Sequence, residues 1–131
     1  RQGRPWGLLR AGDRPESTAA ELAAFVKETL RCSGLRYVDG GRPITRVAVG
    51  GGACADAVRA VSDAGCDALV TADAKYNQFW DAKDLGLTLI DAGHFETENP
   101  VCDVLAAHLR AEFPGLPVVL SEKHGDPVRF L

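Results

Sequence analysis

The stretch Ile44-Thr-Arg-Val-Ala-Val-Gly-Gly-Gly52 decides the fold class of this chain. Its first six residues are β-branched enough to form a buried strand, and the glycines that follow allow an abrupt turn into a helix. Two more short apolar runs, at residues 67–71 and 87–91, end in polar segments in the same way. Short apolar strands that alternate with helices are typical of a parallel sheet with helices on its faces. The sequence therefore predicts an α/β fold, with a layered sheet of mostly parallel strands.

Apolar residues at helical spacing surround these strands. The run Thr18-Ala-Ala-Glu21 has the form of a capping box and predicts a helix over residues 18–31. The other predicted helices cover residues 53–64, 73–85 and 98–113. Further strands are predicted at residues 35–39, 117–121 and 128–131. Residues 91–98 are expected to be a loop that leads into the last helix, and the segment before Thr18 an irregular opening.

The composition is that of one globular domain. With 131 residues, 46% of them hydrophobic, the chain can build one core but not two, so we expect a single domain over residues 1–131. The sequence contains neither a membrane-length apolar run nor a secretory signal, which predicts a cytoplasmic protein without a membrane partner. The net charge of −3 and the scattered basic residues give no support to nucleic-acid binding.

The cysteines indicate the redox state of the chain, and its first residue indicates whether it is part of a longer protein. The four cysteines are widely spaced and form no Cys-x-x-Cys motif, so we expect reduced thiols rather than a zinc ribbon or a disulfide framework. The chain begins with Arg1 and contains no methionine, so we expect it to be part of a longer protein.

Polar residues follow three successive predicted strands, and a parallel sheet brings these strand ends to one edge, where ligands bind. The strongest local pair there is His94 and Glu98, because an imidazole and a carboxylate four residues apart can bind one divalent cation. Asp73, Asp91 and Glu96 place further carboxylates at the same edge, and crowded carboxylates favour a cation. The alternative is that His94 and Glu98 only begin a helix, where a negative charge is stabilising in any case.

Other residues at this edge suggest functions of their own. Lys75 and Tyr76 are candidate catalytic residues that could bind an anionic group beside a metal, or could simply cover the surface.

His108 and His124 have no acidic partner at a useful spacing, so we expect both to face solvent. The sequence has no Ser-His-Asp, His-Glu-x-x-His or Walker signature, which excludes the corresponding hydrolase classes.

The glycine run also fits a second hypothesis. Gly50-x-Gly52-x-x-Ala55 after a strand matches a loose dinucleotide-binding fingerprint, and Asp73 lies 21 residues beyond Gly52, near where a ribose-binding acid belongs. A tight turn that needs a positive φ explains the same glycines without a cofactor. We therefore expect no nicotinamide cofactor, and keep the dinucleotide-binding domain as the rival interpretation.

Three motifs occur in order along the chain: residues 44–52, the run Ala68-Leu-Val-Thr-Ala-Asp-Ala-Lys-Tyr76, and the run Leu89-Ile-Asp-Ala-Gly-His-Phe-Glu-Thr-Glu98. Together they resemble the C-terminal half of the Nif-three-like dinuclear metal-centre family, whose members are often named GTP cyclohydrolase I type 2 homologues. The opening Gly3-Arg4-Pro5-Trp6-Gly7 resembles the start of that half, and Gly125-Asp-Pro-Val128 resembles its closing strand. The similarity covers nearly the whole chain.

The resemblance implies a site for two divalent metal ions, either Zn, Mn, Fe or Mg. His94 and Glu98 match the ligands from the C-terminal half, whereas paired histidines and an aspartate come from an N-terminal half that this chain lacks. That half, whether it belongs to the same longer protein or is supplied by another chain, is the implied partner, and a ring-shaped homo-oligomer is implied for the full-length protein. Asn77 stands where the family commonly has histidine, which removes a polar residue from the cavity.

A two-metal site of this kind would generate hydroxide at neutral pH and polarise the bond that is attacked. In it, Lys75 and Tyr76 would face the substrate, and Asp73 would orient a ligand or accept a proton. The resemblance is thus compatible with a metal-dependent hydrolase, acting like a GTP cyclohydrolase or on phosphate esters. It is equally compatible with a metal-binding regulatory or interaction module that has no turnover.

Overall fold

A sheet of five strands forms the middle layer of the fold in the computed structural model, which describes residues 7–131. The strands are β1 (Arg10–Ser17), β2 (Arg36–Val38), β3 (Ile44–Val49), β4 (Ala68–Thr71) and β5 (Thr88–Asp91). Their order across the sheet is β1-β3-β4-β5-β2, and the three central strands are parallel. The two outer strands are antiparallel to their neighbours. The predicted α/β fold with a mostly parallel sheet is confirmed.

Helices cover both faces of this sheet. They are α1 (Ala19–Leu30), α2 (Val58–Asp63), α3 (Tyr76–Asp84), α4 (His94–Glu98) and α5 (Pro100–Glu112), with a short 3₁₀ turn at Ala55–Ala57. Successive side chains of a strand point to opposite faces, so each central strand serves two cores. Ala68 and Val70 pack in the cluster with α1, whereas Leu69 packs in the cluster with α2 and α3.

The first helix forms where its capping box predicts it. The Thr18 hydroxyl accepts a hydrogen bond from the Glu21 backbone N–H, and the Glu21 carboxylate accepts one from the Thr18 backbone N–H. Arg31 ends the helix in the left-handed conformation, with φ 58°. These reciprocal bonds satisfy N–H groups that a helix start leaves without partners.

The two ends of the described chain differ from the predictions. The expected irregular opening contains β1, whose sequence shows no alternation of apolar residues and which is held to β3 by backbone pairing. Conversely, residues 117–121 and 128–131 form no strand, so both predictions are wrong. Pro117 and Pro127 have no N–H to donate to a neighbouring strand, and the carbonyl of Val118 accepts hydrogen bonds from the Arg110 side chain instead. Residues 1–6, which include most of the opening motif at Gly3, lie outside the described residues.

Several helix boundaries also differ, and the helix expected over residues 53–64 consists of a 3₁₀ turn at Ala55–Ala57 followed by α2 at Val58–Asp63. Residues 91–98 were expected to be a loop, but the structure forms α4 at His94–Glu98. The helix expected from residue 73 begins at Tyr76, because Asp73 has a left-handed backbone with φ 53°. The last helix begins at Pro100, whose missing N–H is tolerated only in a first turn.

All four cysteines are free thiols, as their spacing predicted. Cys32 and Cys66 are buried, and burial raises the pKa of the Cys32 thiol. Among the helices of residues 7–131, none combines the length and the apolar character needed to cross a membrane.

Asp91, at the end of β5, connects the edge strand to the centre of the sheet. Its side chain is almost fully buried and forms an ion pair with Arg36 of β2. It also accepts hydrogen bonds from the backbone N–H of Ala74, at 3.1 Å, and of Gly93, at 3.3 Å. Asp91 therefore holds together β2, β5 and the two segments that follow β4 and β5.

Replacing Asp91 with alanine should lower the free energy of unfolding by about 1–3 kcal/mol, because the buried Ala74 N–H loses its acceptor. Urea denaturation measures this loss. The matched control is Asp13→Ala, since Asp13 forms an ion pair with Arg46 at the surface and should matter clearly less. Equal losses in the two variants would contradict the anchoring role of Asp91.

Candidate metal centre

The segments that follow β3, β4 and β5 meet at one edge of the sheet, and the backbone of Gly52 joins them. Its carbonyl accepts hydrogen bonds from the Ala72 N–H, at 2.9 Å, and from the Thr71 hydroxyl, at 2.8 Å. Its N–H donates to the hydroxyl of Thr97 on α4, at 3.0 Å. The predicted convergence of the three strand ends is thus present, with direct bonds between them.

His94 lies at this edge between two carboxylates. Its Nδ1 atom is 2.6 Å from an oxygen of Asp73, and its Nε2 atom is 3.2 Å from an oxygen of Glu98. All three side chains are about half exposed, so the group opens to solvent. Because Asp73 occupies one ring nitrogen, a neutral His94 would carry its proton on Nδ1 and present the Nε2 lone pair towards Glu98.

Backbone geometry brings the two carboxylates to the imidazole. Asp73 reaches it from the segment after β4, where its left-handed φ of 53° delays the start of α3. Aspartate tolerates this conformation better than most residues. Glu98 reaches the same ring because residues four apart on α4 lie on one side of the helix.

Gly52 makes room for Glu98. It has a φ of +63°, and a Cβ atom there would lie 2.5 Å from a Glu98 carboxylate oxygen and 3.2 Å from Cε1 of His94. The space beside the glycine loop is therefore filled by α4, and the Gly52 N–H already binds Thr97. A dinucleotide pyrophosphate would need that space and that N–H, so the geometry disfavours the rival interpretation of the glycine run.

The two carboxylates also set the protonation of His94. The hydrogen bond to Asp73 is the main cause that raises the pKa of His94 above its ordinary value, and the charge of Glu98 acts in the same direction. Partial burial opposes these effects. A proton on His94 is therefore held more tightly than on an isolated histidine, and any metal ion at Nε2 must displace it.

Lys75 and Tyr76 follow Asp73 at the start of α3, and both side chains are exposed. Within residues 7–131, neither the Lys75 ammonium nor the Tyr76 hydroxyl makes a hydrogen bond, so both groups are available to a ligand. Asn77, the residue after Tyr76, lines a small cleft between α2 and α3 with Asp56.

Not all of the expected carboxylates join the group. Asp91 is committed to Arg36 and to backbone N–H groups, while Glu96 packs beside Gly93 and lines a separate cleft with Asn99. The expectation that all these carboxylates crowd around one cation was therefore wrong for Asp91 and Glu96. Arg36 neutralises the first, and the helical turn of α4 carries the second away from Glu98.

The other two histidines of the chain lie at the surface. His108 and His124 are exposed, as predicted, although the ring of His124 also packs against Phe95 at a centroid distance of 5.0 Å. Within the described ranges, no group of three or more ligating side chains is placed to hold a metal ion. The sequence reasoning missed Thr97; its only signal was a hydroxyl residue within the segment that joins His94 to Glu98.

The fold and this edge define a class: a three-layer α/β domain whose parallel strands bring a histidine–glutamate pair to the carboxyl end of the sheet. Residues 4–127 match the family described as Duf34/NIF3 (NGG1p interacting factor 3). The chain belongs to this family, so the membership expected from the three motifs is confirmed.

Relatives and solved structures are similar over most of this chain. It is 31% identical over 118 residues to a GTP cyclohydrolase 1 type 2 homolog of Clostridium acetobutylicum, covering 86% of this chain and 44% of that protein. The corresponding Bacillus subtilis protein is 32% identical over 130 residues, covering 95% of this chain and 35% of that protein.

Two crystal structures have the same fold. A Staphylococcus aureus protein superposes with a TM-score of 0.82 and 26% identity, over 95% of this chain and 42% of that one. A Bacillus cereus protein related to NIF3 gives a TM-score of 0.79 and 30% identity, over 95% of this chain and 36% of that one. The chain therefore spans less than half the length of each of these four relatives.

In metal-free protein, His94 should titrate above the ordinary histidine pKa of about 6.5, and Asp73→Asn should lower its pKa because the main cause of the rise is removed. Histidine NMR signals followed against pH measure both values. Because the folded-state pKa is raised, protonated His94 stabilises the fold below the unfolded pKa, and this contribution disappears as pH rises through the folded pKa.

The control for this titration is Asp84→Asn, which makes the same charge change at the far end of α3. It should leave the pKa of His94 close to that of the parent protein. An unchanged pKa in Asp73→Asn would show that the Asp73–His94 hydrogen bond is absent in solution.

Proposed function

We propose that this chain supplies one part of a divalent-metal site, and that the longer protein to which it belongs is a dinuclear metal-dependent hydrolase. The observation that carries the proposal is the position of His94, with Asp73 on one ring nitrogen and Glu98 beside the other. Histidines that bind metals commonly donate their second ring N–H to a carboxylate, which fixes the tautomer and the ring orientation.

The donor set fits a divalent metal ion. Imidazole nitrogen and carboxylate oxygen are both zinc ligands, and the same donors suit several other divalent metals. The cradle at Gly52, which a Cβ would fill, accommodates a carboxylate oxygen of Glu98 next to the His94 ring. His94 and Glu98 would hold the metal, and Asp73 would orient His94 without binding the metal itself.

Two protein ligands are too few for a tightly held ion, since zinc sites use three or four. We therefore assign the missing ligands, and a second divalent ion, to an N-terminal part of the longer protein. This chain would then be the C-terminal half, and its relatives' greater length is compatible with that arrangement. A ring-shaped homo-oligomer and a cytoplasmic location are part of the same proposal.

A metal pair bound there would supply hydroxide at neutral pH and polarise the bond to be cleaved. The chain's own residues would do the rest. Lys75 and Tyr76 would bind the anionic group of the substrate with their free ammonium and hydroxyl, and Asp73 would hold the proton on Nδ1 of His94.

In the full-length protein, His94→Ala and Glu98→Gln should each remove most of the affinity for one metal ion, and the double variant should lose little more, because two ligands of one ion act as a unit. Elemental analysis together with zinc titration measures this. If the charge of Glu98 only stabilises the N-terminus of the following helix, α5, Glu98→Gln should cost about 0.3–1 kcal/mol of stability and leave the metal content unchanged.

A histidine control separates loss of the site from a general effect. His108→Ala removes an exposed histidine of α5 and should leave the metal content at the parent level. Parent metal content in both His94→Ala and Glu98→Gln would contradict the ligand assignment.

The 131-residue chain expressed alone should bind Zn²⁺ only weakly, because water must complete most of the coordination. Isothermal titration calorimetry is the direct measurement. Submicromolar affinity that disappears in His94→Ala would show a self-sufficient site and contradict the division of ligands between two parts of a longer protein.

Hydrolysis is tested separately from metal binding. The full-length protein loaded with Zn²⁺ or Mn²⁺ should hydrolyse GTP or phosphate esters, and Lys75→Ala should reduce that rate. Metal binding without turnover of any of these compounds would instead support a regulatory or interaction module.

A further inference from the structure

Helix α4 carries both proposed metal ligands but has little packing to hold it. It is five residues long, and none of its side chains is buried. A helix this short is not stable by itself. The orientation of His94 and Glu98 must therefore come from contacts other than burial of α4 in the core.

The hydroxyl of Thr97 provides such a contact. It accepts a hydrogen bond from the Gly52 N–H, at 3.0 Å, and lies 2.9 Å from the carbonyl of Gly93, to which it can donate. One oxygen thus joins the end of β3 to the first turn of α4. The backbones are also close, since a Cβ on Gly51 would lie 3.1 Å from the Thr97 carbonyl oxygen.

This bond sets the distance between the glycine loop and Glu98. Thr97 immediately precedes Glu98, and a carboxylate oxygen of Glu98 occupies the cradle at Gly52, the same residue whose N–H binds Thr97. The Gly52 carbonyl is in turn fixed by Thr71 and Ala72 at the end of β4. A shift of α4 along the loop would break the bond and move Glu98 away from Nε2 of His94.

The Thr97 hydroxyl bridges Gly52 and Gly93, next to the cradle at Gly52 that holds a carboxylate oxygen of Glu98. From this geometry we infer that Thr97 is a positioning residue that aligns Glu98 and His94 for a single metal ion. The inference rests on the proposed metal-binding function. Thr97 does not touch the metal; it acts through the backbone of Gly52 and the first turn of α4. Residues that orient metal ligands in this way commonly change metal affinity about 10- to 100-fold when they are replaced.

The test is zinc affinity in the full-length protein, measured by competition with a chelating dye. Thr97→Val keeps the shape of the side chain without its hydroxyl and should weaken zinc binding about 10- to 100-fold. Thr97→Ser restores the hydroxyl and should recover most of the affinity. Thr97→Ala is a second hydroxyl-free variant, without the β-branched side chain, and should show the same loss as Thr97→Val.

The matched control is Thr88→Val. The Thr88 hydroxyl also accepts a hydrogen bond from a glycine N–H, that of Gly40 at 3.0 Å, but Thr88 lies at the start of β5, at the opposite end of the strand from α4. Melting curves should show that this variant loses stability while its zinc affinity stays at the parent value. A purely structural role of Thr97 would make the Thr97 and Thr88 variants alike in both measurements.

Two outcomes separate this inference from the function on which it rests. If His94→Ala abolishes zinc binding but Thr97→Val and Thr97→Ala bind as tightly as the parent protein, the positioning role is overturned and the metal site stands. If zinc affinity does not depend on His94, the metal site itself is wrong, and the role of Thr97 falls with it.

Discussion

The peptide groups on either side of Gly52 connect the elements on which the candidate site depends. The Gly52 carbonyl binds the end of β4, and its N–H binds α4, so three strand ends have a fixed relation at the edge of the sheet. Gly52 has a φ of +63°, which disfavours any side chain, and a Cβ there would lie 2.5 Å from a carboxylate oxygen of Glu98. Gly52 thus connects the segments after β3 and β4 to α4, the helix that carries both proposed metal ligands.

Hydrogen bonding around His94 determines which of its ring nitrogens would face a metal ion. Asp73 holds Nδ1, which leaves Nε2 on the side of Glu98, and Lys75 and Tyr76 follow Asp73 closely in sequence with exposed side chains. The same two carboxylates raise the pKa of His94, so a metal ion at Nε2, as we propose, would have to displace a proton that is held more tightly than usual. An open histidine–glutamate pair with an oriented imidazole is better suited to share an ion with another part of a protein than to enclose one alone.

The central sheet and the site pair could be predicted from the sequence because their signals are local. The run of residues 44–49 is rich in β-branched residues, and His94 and Glu98 are four residues apart, so neighbouring residues suffice to interpret both. β1 could not be predicted, since its exposed residues carry no apolar pattern and only pairing with β3 holds it. Residues 117–121 carry an apolar pattern but pair with no strand of the described sheet, so the same reasoning failed in the opposite direction.

Contacts between distant residues explain what else the sequence did not reveal. Asp91 forms an ion pair with Arg36 of β2, 55 residues away in sequence, and Thr97 forms a hydrogen bond with Gly52, 45 residues away. No sequence spacing predicts either contact. As a result, the sequence overestimated the number of carboxylates at the site and missed the residue that joins α4 to the glycine loop.

The central claim is that His94 and Glu98 bind one metal ion through Nε2 and the carboxylate while Asp73 keeps Nδ1. Anomalous diffraction from crystals of the zinc-loaded full-length protein tests it most directly. The account predicts an anomalous peak within bonding distance of both Nε2 of His94 and the Glu98 carboxylate, with the Asp73–Nδ1 hydrogen bond intact. A zinc ion bound at Nδ1, or zinc bound only at residues other than these two, would contradict it.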